Sequence, residues 1–172
     1  ISFWRMDTRE DHDLFLSWME RRLKEVQQPL HQQAELEKGF EQETRTLPKR
    51  AIITRFLLPA VAKMGEANRR KHASIRCTLV ALAAERFRRD KKVWPDSVDQ
   101  LRPHYLARVM LDPFDGKPLR YRRVEDGVVI YSVGQDTTDN GGNLDRGQPI
   151  QSGVDLGVRL WDEDKRRQPS QP

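Results

Sequence analysis

Near Trp94-Pro95 the apolar residues change from a helical period to a strand period, and this switch limits the fold more than any other feature. Before it, Val61, Met64, Ala67, Ile75, Leu79, Leu82, Ala83 and Phe87 keep a helical beat. After it, Leu119–Arg123 and Val128–Val133 are strand-like, and Val154, Leu156, Val158 and Leu160 alternate at period two. Glu125-Asp126-Gly127 between the first two strands is a hairpin signal. Three strands are marginal alone and need a helix against one face. The Ala-rich stretch 73–87 is the expected partner. The expected fold class is therefore α+β: long N-terminal helices, then a small three-stranded antiparallel sheet packed on a helix.

Upstream, residues 8–30 read as a helix with one apolar face of Phe15, Met19, Leu23, Val26 and Leu30. Thr8-x-x-Asp11 is a capping-box-like start, and Asp7, Glu10, Asp11 and Asp13 suit the positive end of the helix dipole. Residues 31–45 either continue that helix or break from it near Pro29. A second helical region runs from about 50 to 90, with a kink or fresh start expected at Pro59. Trp94-Pro95-Asp96-Ser97 then starts a short helix with Val98, Leu101 and Tyr105 facing inward, and Asp112-Pro113-Phe114-Asp115-Gly116 is a turn. The expected domains are a charged helical extension over 1–58, an α+β domain over 59–161 and a disordered tail over 162–172.

Composition narrows the function. No apolar run approaches the roughly 18–20 residues of a membrane span. An opening Ile in place of Met is expected of a fragment or processed chain, with any anchor or export signal removed. The single cysteine, Cys77, excludes an internal disulfide and reads as a small buried hydrophobe. The four histidines are too scattered for zinc, and no Walker, dinucleotide or nucleophile-elbow motif occurs. No catalytic constellation is visible, so the chain is expected not to be an enzyme.

Charge is concentrated rather than general: residues 46–95 hold 13 Lys/Arg against 3 Asp/Glu. Arg69-Arg70-Lys71 and the cations from Arg76 to Lys92 suit a solvated face or an acidic protein partner. Phosphates of nucleic acid or phospholipid, met by residues 63–92, are the alternative. Against nucleic acid, no aromatic but Phe87 stands among these charges, and no nucleic-acid-binding signature occurs.

The Gly134–Asp145 loop is the strongest candidate site. It offers Asp136, Asp139 and Asp145, two Asn, two Thr and a Gly-Gly step, and Asp155 follows at the start of the last strand. Ca²⁺ takes roughly six to eight such oxygens. The same composition also describes a solvated loop of Asx turns.

Several pieces recur in a telling order: Trp94-Pro95, Leu101, Tyr105-Leu106, Asp112-Pro113-Phe114, Tyr121, Tyr131-Ser132-Val133-Gly134-Gln135-Asp136, Gly141-Gly142-x-x-Asp145 and Asp155-Leu156. Together they resemble the globular part of type II secretion major pseudopilins and related planctomycete-type envelope proteins. The resemblance covers residues 75–156. It implies Ca²⁺ held by the loop, with Asp136 and Asp145 matching ligand carboxylates and Val133 a carbonyl donor. One extra residue precedes the Gly pair, and the apolar N-terminal pseudopilin helix has no counterpart in residues 1–60. The expected protein is a non-catalytic extracytoplasmic module of the bacterial envelope. It would engage a protein partner or self-assemble, and would be anchored only through a segment outside this chain.

Overall fold

The computed structural model describes residues 8–145, 147–148 and 151–166. Three helices, α1 (Thr8–Glu25), α2 (Leu30–Thr46) and α3 (Ile52–Lys91), precede a 3-10 turn at Val98–Leu101. Strands β1 (Arg120–Val124), β2 (Gly127–Ser132) and β3 (Leu156–Trp161) follow. The α+β class and its order are as expected. The contacts divide the chain into two compact units, residues 1–69 and 70–172, with the division falling inside α3.

In the first unit the helix started at Thr8 stops at Glu25, and Pro29 opens a separate α2. Pro59, expected to kink or restart a helix, starts no new helix: it lies inside α3. The N-terminus of α3 is closed by a residue the sequence had assigned elsewhere. Asp11 accepts the backbone N–H of Ile53 (2.8 Å) and of Thr54 (3.2 Å), and its carboxylate also takes the Thr54 hydroxyl at 2.6 Å. A helix start leaves its first N–H groups unpaired, and a carboxylate there satisfies them. Burial alone would raise the Asp11 pKa, but these bonds outweigh it and hold the group below the usual range. Trp18 and Leu58 form the buried centre of this unit, with Met19, Leu47 and Val61 around them.

In the second unit the sheet order is β1-β2-β3, antiparallel throughout, with the two-residue Glu125-Asp126 turn joining Val124 to Gly127. Every residue of β2 is buried. One face explains half of this. Val128 and Ile130 meet Cys77, Val80, Ala81 and Ala84 of α3, together with Leu101, Leu106 and Leu119. The helix meets the sheet largely with small residues, Cys77, Ala81, Ala83 and Ala84 among them. The larger Met64, Ile75, Leu79 and Leu82, read on the same beat as the core, are exposed. Each fully buried aliphatic side chain of β2 contributes about 1.5–3 kcal/mol.

Within the sheet, one glycine marks a close approach. Gly157 is paired with Tyr131, and a Cβ at 157 would sit 2.7 Å from the Tyr131 Cβ. Gly157→Ala should therefore lower stability by about 1–3 kcal/mol through overpacking. Gly39, inside α2 with open space around it, should behave oppositely. Gly39→Ala should add about 0.5–1 kcal/mol to its helix. Chemical denaturation of the two variants checks both signs.

Residues 162–166, part of the expected disordered tail, carry contacts, while 167–172 lie outside the described residues. Asp162 accepts the indole N–H of Trp94 at 2.6 Å. Arg88 and Arg166 stand over the Trp94 ring, 5.3 and 5.9 Å from its centre. Both also grip Glu85, Arg88 at 2.9 Å and Arg166 at 2.8 Å. The Arg88 and Arg166 bonds hold the Glu85 carboxyl far below the usual range. A depressed carboxylate stabilises the fold above its unfolded pKa, about 4.3, and that contribution is lost as pH falls through the folded value. Glu85→Gln should be destabilised at pH 7, with the deficit shrinking progressively below about pH 4. Urea midpoints across that range test it.

Candidate functional site

The candidate loop hangs from a buried carboxylate. Asp112 closes its own turn by accepting Phe114 N–H at 2.9 Å, and it lies fully buried at 0% exposure. The same side chain reaches the end of β2, accepting the Ser132 hydroxyl (2.8 Å) and Val133 N–H (2.9 Å). Arg120 of β1 donates to it at 3.2 Å and also pairs with Asp115. Burial pushes the Asp112 pKa up, against the opposing pull of the Phe114 and Val133 amides and the Ser132 hydroxyl. Asp115 ends below its usual value, because Arg120 and the Lys117 amide outweigh its burial. The sequence reading gave Asp112 and Asp115 to a turn and nothing more. The turn is there, but Asp112 also ties together three separate segments.

Past Val133 the chain folds back over the outer face of the sheet. Gly142, at φ +79°, is pressed against this face: a Cβ there would lie 3.1 Å from both Val129 and the Tyr131 ring. Tyr131 donates its hydroxyl to Asp139 at 3.0 Å. Burial first, and the Asp139 bond second, push that hydroxyl up to about 12. The second half of β2 burial is thus supplied by the loop.

The carboxylates predicted as metal ligands serve this loop as amide acceptors. Asp136 takes Thr138 N–H (3.0 Å) and Gly153 N–H (2.9 Å). Asp139 takes Gly141 N–H at 2.9 Å, and Asp145 takes Gly147 N–H at 2.8 Å. Asp155, 2% exposed, takes Gly142 N–H at 2.8 Å and Asn140 N–H at 3.4 Å. Its own N–H returns to the Asn143 carbonyl at 2.8 Å. Val133 is buried at the end of β2, its N–H committed to Asp112.

The electrostatics separate these groups. Burial raises the Asp136 pKa, but the Gly153 and Thr138 amides with the Asn140 and Ser152 side chains together bring it below the usual value. Asp155 ends above its usual value, through burial first and the neighbouring Asp139 charge as a further contribution, against the Gly142 and Asn140 amides. Asp139 and Asp155 therefore meet around Asn140–Gly142. Asp136 stands at Ser152-Gly153, and Asp145 stays in its own turn. The hard oxygens of this loop suit Ca²⁺ in kind. Among the described residues, no three His, Cys, Asp or Glu side chains converge on one point, so this arrangement does not gather the predicted ligands into a cage.

The basic stretch of α3 is also partly committed. Arg69 is buried, Arg76 donates to the Leu111 carbonyl at 2.6 Å, and Arg88 and Arg89 both bond Glu85. Lys71 and Arg86 stay exposed. No helix among the described residues is long and apolar enough to cross a membrane. The chain matches no family model, no curated protein and no solved structure.

Removing Asp112 leaves the Phe114 and Val133 amides and the Ser132 hydroxyl without this buried acceptor, while Arg120 keeps Asp115. Asp112→Ala should cost about 3–5 kcal/mol. Asp115→Ala, which leaves Arg120 its Asp112 partner, should cost clearly less. Equilibrium urea unfolding of the two variants measures the difference.

Proposed function

We propose that this chain is a non-catalytic, pseudopilin-like module of a bacterial envelope protein. It works outside the cytoplasm, presents helix α3 to protein partners, and is anchored through a segment outside this chain. The observation that carries the reading is the loop after Val133, laid over Val129 and Tyr131 at Gly142 and closed by Asp136, Asp139 and Asp155. A loop used to finish a core has a structural role. It also sits in the order of elements on which the pseudopilin resemblance rests: a long helix, a short helical turn at Leu101, the Asp112 turn, a hairpin, the loop and a last strand.

Ca²⁺ belongs to this reading as the ion that relieves the loop's crowded charge. Asp139 and Asp155 are the crowded pair, bonded to the neighbouring amides of Gly141 and Gly142, with the Asp139 charge adding to burial in raising Asp155. Asp136, Asp145 and the Val133 carbonyl complete the set that the resemblance implies. The contrasting reading, a nucleic-acid or phospholipid binder using residues 63–92, loses support because Arg69, Arg76 and Arg88 are turned to the protein itself.

Thermal melting in Ca²⁺ and in chelator tests the ion. A ligand that binds only the folded state stabilises by about 2.7 kcal/mol at a hundredfold excess over Kd. Millimolar Ca²⁺ should raise Tm, Mg²⁺ should do so poorly, and Asp139→Asn should remove most of the rise. Identical melting of the unaltered protein in Ca²⁺ and in chelator would remove the ion from the account.

A further inference from the structure

Opposite its sheet-facing side, α3 carries a row that the fold does not use. Ile75, Leu79 and Leu82 are 47%, 44% and 58% exposed. Their spacing of four and three residues sets them in one line along the helix. Ala73, Cys77, Val80 and Ala84 are buried in the core clusters, so the row is no part of that packing. Lys71 stands one turn before Ile75, and Arg86 one turn after Leu82, both exposed. Of the carboxylates near Arg86, Glu85 is taken by Arg88 and Arg166, and Asp90, one turn on, accepts the Tyr105 hydroxyl at 2.8 Å.

We propose that this row docks one amphipathic helix of a partner protein, its aliphatic seam on Ile75, Leu79 and Leu82 and its Asp/Glu side chains meeting Lys71 and Arg86. The proposal rests on the reading of α3 as an interaction helix and specifies the chemistry of what it binds. Four-three spacing is the pattern a partner helix reads. Charge selects the partner further. Two copies of this chain docked row to row would set Lys71 against Arg86 if antiparallel, and like against like if parallel, so self-docking is repelled both ways. An anionic membrane would suit the cations, but the row offers no exposed aromatic ring for the headgroup layer, since Phe87 packs on the core.

The test uses the full chain and two labelled synthetic helical peptides of about 18 residues. They share an Ile/Leu seam and differ only in Glu or Lys flanks. Fluorescence anisotropy should show the Glu peptide binding at least about tenfold more tightly, a preference that shrinks as salt rises. Arg86→Glu should weaken the Glu peptide about tenfold. Leu79→Asp should abolish its binding with Tm unchanged, because Leu79 lies outside the core. Equal binding of the two peptides, no binding of either, or unaltered binding by Leu79→Asp would overturn the proposal. So would a chain that sediments with phosphatidylglycerol vesicles through this row while ignoring the Glu peptide. No row residue belongs to the acidic loop, so the titration and the Ca²⁺ melts fail independently.

Discussion

The second unit depends on one buried carboxylate. Asp112 gathers the turn that follows it, the end of β2 and the Arg120 guanidinium of β1 around a single pair of oxygens. Placing a carboxylate out of water is costly unless its acceptor capacity is filled. Here two amides, a hydroxyl and a guanidinium fill it. The arrangement therefore resists partial loosening: releasing any one segment strands a buried polar group in another.

From that tie follows the layering around β2. The helix covers Val128 and Ile130, and the loop that leaves Val133 covers Val129 and Tyr131. An antiparallel sheet commonly leaves one face to water, yet β2 is covered on both. Here a glycine-bearing loop supplies the second cover, and Gly142, at φ +79° and with a Cβ position only 3.1 Å from Val129 and Tyr131, suits that close approach. The loop's carboxylates then do for its backbone what a regular element would do with ladder bonds. That is why acidic residues collect there whether or not an ion joins them.

Much of this was legible in the sequence because it is written in local periods. The switch at Trp94-Pro95, the Glu125-Asp126-Gly127 hairpin and the alternation of β3 each need only neighbouring residues to be read. What escaped needs distant ones. Asp11 looked like an acid at the start of its own helix, yet it closes the start of α3, 42 residues on. Asp112 looked like a turn residue, and its bonds to Ser132 and Val133 leave no local trace. The helical beat was right at Val61, Ala83 and Phe87 but also took in Met64, Ile75, Leu79 and Leu82, which face out, because α3 meets the sheet with Ala73, Cys77, Val80 and Ala84. Small residues carry little hydrophobic signal, although they permit the closest packing. In the loop, sequence identified the carboxylates, but their partition among separate sets of amides depends on how the loop drapes over Tyr131.

Native-state hydrogen exchange at the Val133 and Phe114 amides tests the central claim most directly. Both donate to Asp112 inside a fully buried site, so the account predicts that they exchange only through global unfolding of their unit, alongside the amides of β2. Exchange of either at the rate of an open surface loop, with β2 still protected, would contradict it.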